Sequence, residues 1–175
     1  IRILVVDDHP LARFGIKNQL KDVEDLVVVG EAEDGEAAMQ KVKELHPDVV
    51  ILDLFIPILS GFEVVKLVRK NFPDVHVMIL TAYEQEEYLH QALEFGAEGY
   101  LLKSAEKEEL IAGVRAVSKG ERAFSPRIKE FIVKGYLTNR DFNRSNQLPP
   151  TSLPTREKEL LDLVSQGLTN QQIAE

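Results

Sequence analysis

The chain has 175 residues, 44% of them hydrophobic and 29% charged, the balance of an ordinary globular protein with room for one domain and part of a second. No run approaches the roughly 18 uninterrupted apolar residues of a membrane helix, and the absence of cysteine excludes disulfides and thiolate metal sites. With no signal peptide in view, a cytoplasmic location without membrane contact is expected.

The formal net charge is −8, which weighs against nucleic-acid binding by the chain as a whole. The charge is uneven, however. Residues 1–120 hold 13 basic against 22 acidic side chains, and residues 121–175 hold 8 against 7. An acidic module followed by a nearly neutral one leaves room for a DNA-binding second part.

Through residues 1–120, short β-branched apolar runs alternate with longer segments of helical period, five of each. The run Ile3-Leu4-Val5-Val6 precedes a helical stripe of Ala12, Ile16 and Leu20, and Leu26-Val27-Val28-Val29 precedes Ala38, Val42 and Leu45. Val49-Val50-Ile51-Leu52 leads to Val65, Val68 and Phe72, the run from Val75 to Leu80 to Leu89, Ala92 and Leu93, and Tyr100-Leu101-Leu102 to Leu110, Val114 and Val117. Runs this continuous read as strands buried on both faces. Gly96 and Gly120 fall where helix ends call for a left-handed residue. The pattern predicts an α/β fold, a flavodoxin-like (βα)5 doubly wound parallel sheet.

Beyond Gly120 the organisation changes. Ser125-Pro126 suits a helix start, and Ile128, Phe131, Ile132 and Tyr136 continue at helical spacing. Residues 138–154 are polar, contain three prolines and read as a linker. Thr155 caps a segment with Leu160, Leu161 and Val164 on one face and Gly167 as its stop. Thr169-Asn170-Gln171-Gln172 then has the form of a capping box that opens another helix. The chain opens on Ile1 and stops at Glu175 in mid-pattern, so both ends are expected to be truncated.

Polar residues stand at the carboxyl ends of four runs: Asp7-Asp8 after the first, Asp53 after the third, Thr81 after the fourth and Lys103 after the fifth. Sites in open α/β sheets form at that edge. Taken singly, each has a plain structural role. The aspartate pair or Thr81 could cap a helix, Asp53 could serve a turn before Pro57 and Gly61, and Lys103 could be a surface charge. Together at one edge they describe a site. Three converging carboxylates repel one another unless a cation neutralises them, and a set of oxygen ligands favours Mg2+ or Mn2+ over softer metals. Such a site lets Asp53 act as a nucleophile on a phosphoryl donor, with Lys103 and Thr81 meeting the charge of the transferred group. Ala82 is small enough to leave room for it.

Residues 1–120 closely resemble the receiver domain of two-component response regulators. ILVVDDHP matches the acidic pair of the first strand, VVILDLFIPILSGFE the phosphoacceptor strand and loop, MILTAYE the hydroxyl strand and GAEGYLLKS the lysine strand. The resemblance implies that Asp53 is the phosphoacceptor. It also implies that Asp8, Asp53 and the Phe55 backbone carbonyl ligate Mg2+, that Asp7 assists through water, and that Thr81 and Lys103 contact the phosphoryl group. Tyr100 takes the position of an aromatic switch whose ring moves inward as Thr81 shifts. Two departures stand out. Ile56 replaces a common Met, and Ser104 replaces a common Pro after Lys103, where a cis bond without proline would cost about 3 to 4 kcal/mol. Phe55 and Tyr83 are bulky residues at the rim, expected to screen the acyl phosphate from water.

The string LPTREKELLDLVSQGLTNQQIAE resembles the start of a LuxR-type helix-turn-helix domain, the output module of NarL/FixJ-type regulators. The expected organisation is a receiver at 1–120, a linker helix and flexible linker at 121–152, and the N-terminal part of the output domain at 153–175. The recognition helix falls outside the string, so no DNA-contacting residue is identified. The resemblance implies a transcriptional response regulator and no enzyme beyond its own phosphoryl transfer and dephosphorylation. A sensor histidine kinase would phosphorylate Asp53, and the receiver would then control homodimerisation and binding to promoter DNA. Two other readings stay open: a phosphoreceiver that acts on a protein partner, and a metal-dependent phosphatase. The latter typically carries a second aspartate two residues after the nucleophile, where this chain has Phe55.

Overall fold

The computed structural model describes residues 1–133. The expectations for Tyr136, the linker at 138–154 and the segments from Thr155 to Glu175 lie outside the described residues.

Strands and helices alternate: β1 (Arg2–Val6), α1 (Pro10–Leu20), β2 (Val27–Ala32), α2 (Gly35–Leu45), β3 (Val49–Leu52), α3 (Gly61–Asn71), β4 (His76–Thr81), α4 (Glu86–Glu94), β5 (Gly99–Leu102), α5 (Lys107–Val117) and β6 (Ala123–Phe124). All pairings are parallel, in the order β2-β1-β3-β4-β5-β6. The doubly wound sheet expected from the sequence is present, with one strand more. β6 is only two residues long and pairs Ala123 with Gly99 and Phe124 with Tyr100. A first compact unit spans Ile1–Ser125. Of the remainder, residues 126–133 are helical. Among the described residues no helix is long and apolar enough to cross a membrane.

β1, β3, β4 and β5 are buried almost throughout because helices cover both sheet faces. Successive side chains point to opposite faces. Ile3, Val5, Val49, Ile51, Met78, Leu80 and Leu101 pack with Ile16 and Leu20 of α1 and with Leu110, Val114 and Val117 of α5. The intervening Leu4, Val6, Val50, Leu52, Val77 and Ile79 turn the other way and are equally buried. β2 departs from the expectation of burial on both faces. It forms the edge of the sheet, and its first residue, Val27, is 55% exposed. Ala12, Leu45, Phe72 and Leu93, at the margins of the expected helical stripes, are half-buried.

Helix starts are fixed locally. The Asp34 carboxylate accepts from the Ala37 N–H at 2.8 Å and caps α2. Ser60 and Glu63 form a reciprocal capping box on α3, and the Ser60 hydrogen bonds hold the Glu63 carboxyl below its ordinary value. Gly96 and Gly120 have φ of 101° and 76°, the left-handed conformation expected of them. At the amino-terminal edge of the sheet, the Glu98 carboxylate ties several elements together. It accepts from Val77 N at 3.0 Å and Arg69 Nη1 at 2.8 Å, and lies 3.2 Å from His76 Nδ1.

Gly61, the first residue of α3, touches the segment that leaves β3. Its N–H donates to Leu54 O at 2.9 Å, and a Cβ at this position would overlap the carbonyl oxygen of Asp53 and the Leu54 backbone. Gly61→Ala is therefore expected to lower unfolding stability by about 1 to 3 kcal/mol. A Cβ on Gly15, inside α1, would meet nothing within 4 Å, so Gly15→Ala is expected to raise stability by up to about 1 kcal/mol. Urea unfolding of the two variants gives shifts of opposite sign.

Candidate functional site

The carboxyl edge of the sheet brings Asp7, Asp53, Thr81 and Lys103 together. Asp53 N donates to Val6 O at 2.9 Å and Asp7 N to Ala32 O at 3.1 Å, which carries the pairing one step past each strand. On the other side, Lys103 N donates to Thr81 O at 2.8 Å. These backbone bonds set the start of each side chain before any side-chain contact forms.

Asp7 and Asp53 are nearly buried, at 1% and 5% exposure. The Lys103 ammonium lies 2.6 Å from Asp7 Oδ2 and 2.6 Å from Asp53 Oδ2, so one cation serves two carboxylates. Their other oxygens are also occupied. Asp7 Oδ1 accepts His9 N at 2.9 Å, and Asp53 Oδ1 accepts Leu54 N at 2.7 Å. Burial alone would lower the Lys103 pKa, but its hydrogen bonds to Asp53 and Asp7 outweigh that effect and raise it.

Asp8 is more open, with its side chain 34% exposed. Its Oδ1 is screened from solvent, and His9 Nδ1 lies 2.7 Å from it. Donor atoms of Asp7, Asp8 and His9 all lie within 4.8 Å of one another. A buried carboxylate beside a second, more open one fits a hard divalent cation.

Thr81 is fully buried, and its Oγ1 has no partner among the described residues. A buried hydroxyl without a partner is costly unless something engages it. Phe55 and Ala82 lie in the loops that leave β3 and β4, and both are exposed. The Phe55 ring stands 4.4 Å from that of Tyr83. Tyr100 is completely buried, with its ring already inside the fold and its hydroxyl donating to Tyr83 O at 2.9 Å. Burial, reinforced by the Asp53 and Tyr88 charges, pushes its phenol well above the usual range.

The plain structural roles are filled by other residues. His9 takes the N-cap position of α1, Ser60 that of α3 and Gln85 that of α4. The aspartate pair, Asp53 and Thr81 are thus free of capping duty. No cis peptide occurs among the described residues, so Lys103–Ser104 is trans. Arg13 was not apparent from the sequence. Its Nη1 donates to Asp7 O at 2.6 Å, one turn into α1 and six residues from its partner. A cavity of about 360 Å3 lies beside α1 and β2, lined by Arg13, Glu31 and Lys41 among others. It does not include the polar cluster.

Residues 3–115 match the response regulator receiver domain family, and the chain belongs to that family as a two-component response regulator. Its relatives fall in the NarL/LuxR branch, which is concerned with transcription regulation. The oxygen regulatory protein NreC of Staphylococcus carnosus is 39% identical across the whole chain and 82% of its own length. The transcriptional regulatory protein LiaR of Bacillus subtilis is 34% identical across the whole chain and 81% of its length. Among solved structures, a LuxR-family two-component response regulator from Aurantimonas sp. is 33% identical with a TM-score of 0.74, over 78% of this chain and 97% of that one. The receiver domain of RcsB from Salmonella enterica, solved with the phosphomimetic BeF3−, is 28% identical with a TM-score of 0.70. That match covers 75% of this chain and 97% of that one.

Removing the shared cation should expose the repulsion it offsets. Lys103→Met leaves two buried carboxylates unpaired and is expected to cost about 2 kcal/mol, below the range for fully buried pairs because Lys103 keeps some solvent contact. Adding Asp53→Asn to the same protein should recover part of that loss. Urea unfolding of the single and double variants at neutral pH measures both.

Proposed function

We propose that the chain is a phosphorylation-controlled transcriptional response regulator in which Asp53 accepts a phosphoryl group from a sensor histidine kinase. The phosphorylated receiver then governs homodimerisation and binding to promoter DNA through an output module that begins at residue 153. A cytoplasmic site of action goes with that role. The observation that carries the reading is the Lys103 ammonium, 2.6 Å from both Asp7 and Asp53, at the edge where the unpartnered Thr81 hydroxyl is also buried.

The chemistry follows from these groups. A carboxylate oxygen of Asp53 attacks phosphorus, an oxygen–phosphorus bond forms, and the phosphorus–nitrogen bond of a phosphohistidine breaks with its electron pair leaving on the imidazole. Lys103 Nζ, already bonded to Asp53, is placed to follow the negative charge onto the transferred group. Thr81 Oγ1 has a free hydrogen to donate to a phosphoryl oxygen, and Ala82 presents no bulk against it. Asp7, Asp8, Asp53 and the Phe55 carbonyl would hold Mg2+, or Mn2+ in its place. When bound, the ion supplies positive charge that lets phosphoryl oxygens approach the acidic cluster.

Transmission needs only a bias between arrangements already accessible to the receiver. If Thr81 moves onto the phosphoryl group, the β4–α4 loop moves with it. That loop carries the Tyr83 carbonyl to which Tyr100 is bonded, so the buried ring senses the shift.

Incubation with Mg2+ and acetyl phosphate is expected to add one phosphoryl group to the wild type and none to Asp53→Asn, as read by intact mass and peptide mapping. Gel filtration of the same samples should show a larger species for the phosphorylated wild type alone. An unmodified wild type would overturn the reading. Repeated turnover of a phosphoester would favour a phosphatase instead.

A further inference from the structure

A row of five aromatic rings runs beside the site, and the proposed chemistry uses none of them, only the Phe55 and Tyr83 backbone carbonyls. Phe55 and Tyr83 come from the loops that leave β3 and β4, and their centroids are 4.4 Å apart. The pair therefore spans the gap between the strands that lead to Asp53 and Thr81. Tyr88, in the first turn of α4, meets both rings edge-on. It lies 5.2 Å from Phe55 with planes at 71°, and 6.0 Å from Tyr83 at 83°. Behind it, Phe62 of α3 is 6.1 Å from Tyr88 and 6.2 Å from Phe95. Lys66 Nζ closes the row, 3.5 Å from the centre of the Phe95 ring. These spacings fall in the range of favourable aromatic and cation–π contacts.

Phe55 and Tyr83 are 42% and 41% exposed, so neither is fixed by burial in the core. The Tyr100 hydroxyl tethers the backbone of Tyr83, while the Tyr83 ring is held by its aromatic neighbours Phe55 and Tyr88. Tyr88 sits on a regular helix and is the ring that touches both.

We infer that Tyr88 is a positioning residue that holds Phe55 and Tyr83 together at the rim and so limits the access of water to phosphorylated Asp53. The inference rests on the reading of Asp53 as the phosphoacceptor. In hydrolysis, a water oxygen attacks phosphorus and the bond to the Asp53 oxygen breaks. The electron pair returns to the carboxylate, inorganic phosphate leaves, and the water protons pass to phosphate and solvent. Attack must come from the side away from the carboxylate, which at this rim is the solvent side.

The test compares wild type, Tyr88→Ala, Tyr88→Phe and Phe95→Leu, each phosphorylated with acetyl phosphate and Mg2+, freed of donor and followed by intact mass. Loss of one edge-to-face anchor corresponds to a decay about three- to tenfold faster for Tyr88→Ala. Tyr88→Phe keeps the ring and should decay at the wild-type rate, as should Phe95→Leu at the far end of the row. Thermal unfolding checks that the compared proteins are equally folded, and Tyr88→Leu replaces the alanine variant if that variant is not. Decay of the phosphorylated truncation variant at the wild-type rate overturns the inference, as does equal acceleration in Tyr88→Phe. A wild type that takes up no phosphoryl group overturns the phosphoacceptor reading itself, a distinct result.

Discussion

Two nearly buried carboxylates share one ammonium, and much of the molecule is arranged so that they can. Asp7 and Asp53 follow neighbouring strands, while Lys103 follows β5 and must reach across the end of β4 to meet them. β5 stands two strand spacings from β3 and three from β1, about 10 and 14 Å, gaps that call for a long cationic side chain. What stands in between must be small. β4 ends in Thr81, whose short side chain leaves the path open and adds a hydroxyl beside it. Charge, reach and clearance are therefore set together by four strand ends.

The site could be inferred from sequence because its geometry is a property of the sheet. Continuous runs such as Val49–Leu52 mark buried parallel strands, and the first polar residue after such a run emerges at the carboxyl edge whatever the loop does next. Features set by contacts between distant segments could not be seen in this way. β6 has two residues, too few for any pattern, and exists because Gly99 and Tyr100 offer it a ladder. The exposed flank of β2 follows from strand order, which a run of valines does not encode. The aromatic row draws Phe55, Phe62, Tyr83, Tyr88 and Phe95 from several elements at no common spacing.

Helix capping shows how the structural and functional demands are kept apart. Aspartate, serine and threonine are the residues that cap helices best, so those at strand ends could have been committed to that work. Instead Ser60 and Asp34 cap with their side chains, and His9 and Gln85 occupy N-cap positions without a side-chain bond. Neither aspartate of the pair is spent on a helix cap as a result, and the Thr81 hydroxyl has no partner among the described residues. The cost of leaving that hydroxyl unsatisfied falls at the polar edge, and Gly61 lets α3 pack directly on the backbone that presents Asp53.

The cluster around Glu98 lies at the opposite end of β4 and β5 from Thr81 and Lys103. There the carboxylate fastens Val77, His76 and Arg69 to the start of β5. Both strands are thus pinned at that end by Glu98, and at the other by Lys103 N on Thr81 O and by the Lys103 ammonium on Asp7 and Asp53. One carboxylate below and one ammonium above bracket the same two-strand ladder.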